Sequence, residues 1–163
     1  MQKTLSFLVL LCSLVSCNSE GENNSTDEDT SAAETIVLPD DQVAWRADYD
    51  TATGDMILRK RESVVINEEV TTPEIIIEGI NISWPDIQMV YEKVSGDTVF
   101  VKIPNSQYLT QQMGSSGPPG YFALATYSLT ELKGIRYVRF DFEEGDHAMP
   151  GTFSRDNFRS FIR

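Results

Sequence analysis

Both cysteines of this 163-residue chain, Cys12 and Cys17, stand at its extreme N-terminal end. Nothing beyond residue 17 can be stapled by a disulfide, so whatever folds there must be held by an apolar core. Charge narrows the folded region further. The chain carries a net −12, yet residues 18–41 hold Glu20, Glu22, Asp27, Glu28, Asp29, Glu34, Asp40 and Asp41 with no Lys or Arg. From Asn18 to Glu34 no apolar residue is larger than Ala. Such a stretch buries too little surface to offset its ordering entropy, so residues 17–41 are expected to be a disordered acidic tether, kept extended by like charge. Residues 42–163 remain for one globular domain with one core.

The N-terminal residues have a separate logic. Lys3 supplies one positive charge, and Thr4 to Val15 is almost wholly apolar. That pattern is a secretory signal, too short to span a bilayer of about 30 Å as a lasting helix. The tetrad Leu14-Val15-Ser16-Cys17 resembles the lipobox of bacterial lipoproteins: an aliphatic residue, a β-branched or small one, a small one, then Cys. The resemblance implies a signal peptide over 1–16, recognised through Leu14, Val15 and Ser16 and cleaved before Cys17. It also implies a diacylglycerol thioether on Cys17 and, usually, an acylated amine. Several acyl chains on one residue make anchoring stable, at about 0.8 kcal/mol per buried methylene. The expected location is the cell envelope, at the outer membrane, with the periplasmic or surface face left open. The alternative is a soluble secreted protein with Cys17 in that place by chance. A nucleic-acid partner is not expected, because no basic stripe exists to meet a phosphate backbone.

Within the domain, Gln42 to Tyr49 reads as a strand, with Val43, Trp45 and Ala47 on one face. Asp48 to Asp55 is turn-rich. Met56 to Arg61 is the expected returning strand, and Ser63 to Asn67, with Val64-Val65-Ile66 continuous, another. Pro73 to Ile80 stays ambiguous: Thr72 before Pro73 and Glu74 favours a helix start, whereas Ile75-Ile76-Ile77 favours a strand. Ile87 to Val94, Ser95-Gly96 and Asp97 to Ile103 form a hairpin, with Val99, Val101 and Ile103 on one face. Ser106 to Met113 is polar and briefly helical, and Gly114 to Gly120 is a loop. Tyr121 to Leu132 reads as an amphipathic helix stopped by Gly134. Ile135 to Phe142 is a strand with Val138, Phe140 and Phe142 inward, and the tail from Glu143 packs back through Phe153, Phe158 and Phe161. The fold class expected is α+β: a small mixed sandwich, a twisted and mainly antiparallel sheet with one main helix on it.

This order of elements resembles the GerMN domain of bacterial envelope and sporulation proteins. The residues that carry the resemblance are Tyr127-Ser128-Leu129-Thr130-Glu131-Leu132-Lys133-Gly134-Ile135-Arg136-Tyr137-Val138-Arg139-Phe140, with Val94 to Val101 as the hairpin and Trp45 to Arg61 as a weaker opening match. It covers about residues 42–142 and leaves the tail outside. The family usually has a Leu-rich helix between its first and second strands, where this chain has the Ile-rich Thr71 to Ile82. The resemblance implies a non-catalytic module for binding or assembly, with an envelope protein as partner and no cofactor.

Few residues offer other chemistry. Asp48, Asp50 and Asp55 cluster as cation ligands do, but Ala52 and Arg59 occupy places where an EF-type loop needs oxygens. An ordinary acidic turn is the competing reading. Asp141, Glu143, Glu144, Asp146 and His147 form a second acidic group holding the chain's one histidine, too few nitrogen and sulfur ligands for a structural zinc. No Gly-x-Ser-x-Gly elbow accompanies His147, so no hydrolase is expected. Gly114 to Gly120 lacks the Lys and Ser/Thr of a phosphate-binding loop. Together with 141–147 it defines an alternative function: binding a small ligand, a glycan or a cation. Trp84, Tyr108, Phe153, Phe158 and Phe161 are either partner-facing anchors or core, with core expected for most of them.

The lipid anchor is directly testable. Cys17→Ser is expected to abolish incorporation of radiolabelled fatty acid and to leave the precursor uncleaved. Normal membrane retention of that variant would overturn lipidation.

Overall fold

A computed structural model describes residues 43–162. The signal peptide, Leu14, Val15, Ser16, Cys17 and the 17–41 tether lie outside the described residues. Two sheets and two α-helices make up the rest, a mixed α+β architecture with mostly antiparallel pairing.

Strands β1 (Trp45–Asp50) and β2 (Asp55–Lys60) pair antiparallel from Trp45↔Lys60 to Asp50↔Asp55. The strand therefore runs further into the acidic stretch than its turn-forming residues predict. The turn closes with Gly54 N–H donating to the Asp50 carbonyl (2.8 Å) and Gly54 at φ +77°. That conformation carries little cost only for glycine. Ser63 to Asn67 is not a strand. Val65 is 81 % exposed, and local bonds such as Val64 N–H to Arg61 O and Thr71 N–H to Asn67 O fold the segment into turns. Three consecutive β-branched residues do not make a strand without a free sheet edge beside them, and Ile162 bridges β2 at Leu58.

The Ile-rich segment resolves as helix α1 (Pro73–Ser83). Thr72 caps it, its hydroxyl accepting from Ile75 N–H at 3.4 Å, and Pro73 occupies the first turn, where its missing N–H costs nothing. Ile76, Ile77 and Ile80 fall on one helical face and are buried. Their packing outweighs a β-branching penalty of a few tenths of a kcal/mol per residue.

The larger sheet has the order β3-β4-β5-β6. Strands β3 (Val90–Ser95) and β4 (Thr98–Lys102) form the hairpin, with a bulge at Glu92. β4 pairs in parallel with β5 (Tyr137–Asp141), and β5 antiparallel with β6 (Gly151–Phe153). Val99, Val101, Ile103, Val138, Phe140 and Phe142 are buried, as their alternation predicts. Between β4 and β5 the chain makes a single π turn at Tyr108–Gln112 and then helix α2 (Gly117–Leu129).

Helix α2 departs from expectation at both ends and around its girth. It begins at Gly117, inside the segment expected to be loop, because Pro118 and Pro119 fit the first turn of a helix. It ends at Leu129, where Thr130 accepts the chain with its N–H and hydroxyl both on the Thr126 carbonyl (3.0 and 2.7 Å). Gly134, at φ +81°, follows only after a further turn. The helix is not amphipathic: every residue from Gly120 to Leu129 is buried. It runs between the two sheets, with Tyr127 against Trp45 of β1, Gly120 against Met56 of β2, and Phe122 against Phe140 of β5. A stripe of large residues on one side and Ala, Ser and Thr on the other reads as amphipathic, yet small side chains here admit close neighbours.

After β6 a 3₁₀ segment (Arg155–Phe161) closes the domain, capped by Ser154 and Asn157. The tail packs back as expected, in a run of rings from Phe122 to Phe153 (5.3 Å), Phe153 to Phe158 (5.4 Å) and Phe158 to Phe161 (6.0 Å). Phe122 also meets Phe142 at 5.8 Å, so one ring joins α2, β5 and the tail. Phe122→Ala is expected to lower stability by about 3–5 kcal/mol. Urea unfolding should show the loss as a lower midpoint with an unchanged slope.

Candidate functional site

Asp48 and Asp50 are held in contacts that local structure explains. Arg46 and Arg59 are direct cross-strand partners, a repulsive pairing if left alone. Asp48 lies between them, its Oδ2 3.2 Å from Arg46 Nε and 3.3 Å from Arg59 Nε. Asp50 Oδ1 accepts the Ala52 N–H at 2.9 Å, an Asx turn, and Asp55 sits across from Asp50 in the ladder. Asp146 is exposed. The backbone N–H of its neighbour His147 donates to the Thr110 carbonyl at 3.0 Å, and His147 Nδ1 lies 3.5 Å from Ser115 Oγ. Gly145 approaches so closely that a Cβ there would lie 2.7 Å from Thr110 Cβ. The 145–148 turn is thus seated on the π turn. Among the described residues no three His, Cys, Asp or Glu side chains gather as metal ligands do.

Glu143 and Glu144 do line a cleft, of about 330 Å³, with Asn105, Ser106, Gln107 and Gln111. Its walls are polar, and Ser106 Oγ is committed to the Glu143 carbonyl at 2.7 Å. The 114–120 segment lines a different hollow, beside Asp55 and Phe161, so the two parts of the expected ligand site do not form one pocket.

A buried-edge network draws together residues that sequence spacing keeps apart. Glu131, just past α2, accepts from Trp45 Nε1 (3.0 Å), Lys60 Nζ (2.9 Å) and Arg155 Nη2 (2.6 Å). Arg155 also donates to Thr130 Oγ1 (2.8 Å) and the Tyr127 carbonyl (3.0 Å), with its guanidinium 5.0 Å from the Tyr127 ring centre. Desolvation is the largest influence on the Glu131 carboxyl and pushes its pKa up. The bonds from Lys60, Trp45 and Arg155 together outweigh it and hold the group below the ordinary carboxylate range. The network ties together β1, β2, the end of α2 and the 3₁₀ tail.

A different character marks the open side of the larger sheet. β3 is an edge strand, and α1 lies beside it. Between them is a groove of about 480 Å³. Ile77 and Met89 are buried at its base, while Ile82 is 59 % and Val90 49 % exposed on its rim. Asn81 fixes the geometry: its Nδ2 donates to the Met89 carbonyl and its Oδ1 accepts the Met89 N–H, both at 2.8 Å. One side-chain amide thus stands in for a neighbouring strand. Glu74 and Glu78, one helical turn apart, complete the α1 wall. Trp84 and Tyr108, which could face a partner or the core, are half-buried against the core, as expected for most of these aromatics, Trp84 packing edge-on to Tyr121 at 5.8 Å. The groove was not marked by any residue class that announces chemistry. Its one sequence signal is Ile82 and Val90, apolar residues that fall outside the buried faces of their elements.

The chain has no match among protein-family models, curated proteins or solved structures.

The Glu131 network yields a stability prediction. A carboxyl whose pKa is lowered by folding contributes stability above its unfolded pKa, and that stability is lost as pH falls through the folded value. Glu131→Gln should therefore cost about 1–3 kcal/mol at neutral pH. The variant should also lose less stability than the parent as the pH is lowered below the ordinary carboxylate range, measured by thermal unfolding across acid pH.

Proposed function

We propose that this chain is an envelope lipoprotein, held at a membrane through lipid on Cys17, whose GerMN-like domain is a non-catalytic module that docks another protein of the envelope. The observation that carries the docking reading is the groove between α1 and β3. Apolar side chains are left in water on its rim at the open edge of a sheet, beside a buried apolar base. Exposed apolar surface gathered around a concavity is the usual mark of a binding site, whereas scattered exposed residues are not.

Several features support the GerMN-like part of the proposal. Helix α1 follows β2, whereas the family's helix stands between its first and second strands, so the support comes from the second half of the domain. Helix α2, Gly134 and β5 follow in the order of the most specific stretch. Asp48, Asp50 and the His147 backbone are engaged in ion pairs, a turn and a backbone bond, a disposition that suits a scaffold. The tether and lipid supply location: a domain carried on residues 17–41, with eight acidic side chains and no basic one, works at a distance from the bilayer, at the outer membrane.

A second reading, a module for a small ligand, glycan or cation, is favoured by the polar cleft at Ser106, Glu143 and Glu144. The two readings separate in cells. A photo-crosslinking residue at Ile82 should give a discrete adduct with one protein, and the same residue at the exposed Met149, beside the opposite sheet edge, should not. An absence of protein adducts from Ile82, with heat-stabilisation by a glycan or cation instead, would replace docking with the ligand reading.

A further inference from the structure

Resting on the docking reading, we infer that the occupant of the α1–β3 groove is a protein segment that inserts apolar side chains beside a Lys or Arg, and that it does so without adding a strand to the sheet.

Charge complementarity selects the cation. Glu74 and Glu78 face the groove from successive turns of α1, and neither has an ion-pair partner among the described residues. Elsewhere in the domain carboxylates near cations are paired: Asp48 with two arginines, Glu131 with Lys60 and Arg155, Asp97 with Arg136. Two like charges at this spacing destabilise a helix, and a cation between them reverses the sign. No Lys or Arg lines the groove. The apolar base at Ile77 and Met89 accounts for the rest of the occupant's chemistry, the thioether adapting to branched or aromatic side chains.

The mode of docking follows from the edge itself. An incoming strand would need the outward N–H and C=O groups of β3. Those of Met89, at its entry, are taken by Asn81 at 2.8 Å, and the bulge at Glu92 breaks the register further along. Both devices defend an edge against strand addition. The occupant therefore binds through side chains, as a helix or short turn does in a groove. A second copy of this chain is disfavoured, since it brings the same paired carboxylates and a net charge of −12.

Short randomised peptides displayed on phage and selected against the full chain in detergent micelles test this. The expected winners are enriched in Lys or Arg next to large apolar residues, and lose binding when Ile82 and Val90 are both changed to Ser. Glu74→Gln with Glu78→Gln should weaken them about three- to tenfold, the size of two partly exposed ion pairs, and added salt should do the same to the parent. Both pairs of substitutions fall on exposed positions or retain shape, so circular dichroism should be unchanged. Groove-dependent winners without basic enrichment would overturn the charge inference and leave docking standing. Winners that bind in extended form and survive at the groove after Asn81→Ala with higher affinity would overturn the side-chain mode. Concentration-dependent dimers abolished by the Ile82 and Val90 changes would make the occupant a second copy. An absence of any groove-dependent binder would overturn the inference, while the in-cell crosslink from Ile82 decides the docking reading separately.

Discussion

Helix α2 is enclosed on all sides, and the other elements are arranged around that enclosure. A helix buried from Gly120 to Leu129 needs apolar neighbours in every direction. The hairpin β1–β2 supplies one side, the larger sheet another, and α1 and the aromatic tail fill the remainder. Enclosure has a cost as well. The hydroxyls of Tyr121, Thr126 and Ser128 are buried with no hydrogen-bond partner among the described residues, and burial pushes the Tyr121 phenol's pKa up. Each such group forfeits about 1–3 kcal/mol of solvation. The aromatic contacts of Phe122 and the Trp45–Tyr127 pair, 4.8 Å apart, offset that locally.

Much of the fold is written in short-range alternation. Val99-x-Val101-x-Ile103 and Val138-x-Phe140-x-Phe142 place their buried faces unambiguously, because a strand's period of two is fixed by its pleat. Gly54 and Gly96 mark their hairpin turns for the same local reason. Where long-range packing decides, sequence pattern misleads. Val64-Val65-Ile66 has strand composition but no edge to join, and Ile75-Ile76-Ile77 has strand composition yet sits behind a Thr-Pro helix start. In α2 the apolar stripe is real, and the far side is covered by a hairpin some sixty positions earlier in the chain, which no local pattern records.

The candidate site was less legible than the fold. Acidic clusters draw attention because carboxylates carry chemistry, but Asp48, Asp50 and His147 each have a nearby turn or ladder to serve. The groove pairs Glu78 and Asn81 of α1 with Met89 and Val90 at the start of β3, ordinary residues whose meaning lies in what they leave uncovered. Likewise nothing near Glu131 in sequence announces that Trp45, Lys60 and Arg155 converge on it.

That convergence has an entropic side. Trp45 stands in the first strand and Arg155 in the last described segment, and both reach the same carboxylate. Closing so long a loop costs entropy that grows with the logarithm of its length, and the bonds of this junction offset part of that cost. Without it, Trp45, Tyr127 and Phe153 have only part of their apolar cover. A chain cut short before Arg155 would leave Glu131 with two of its three donors and the Tyr127 ring without the guanidinium beside it.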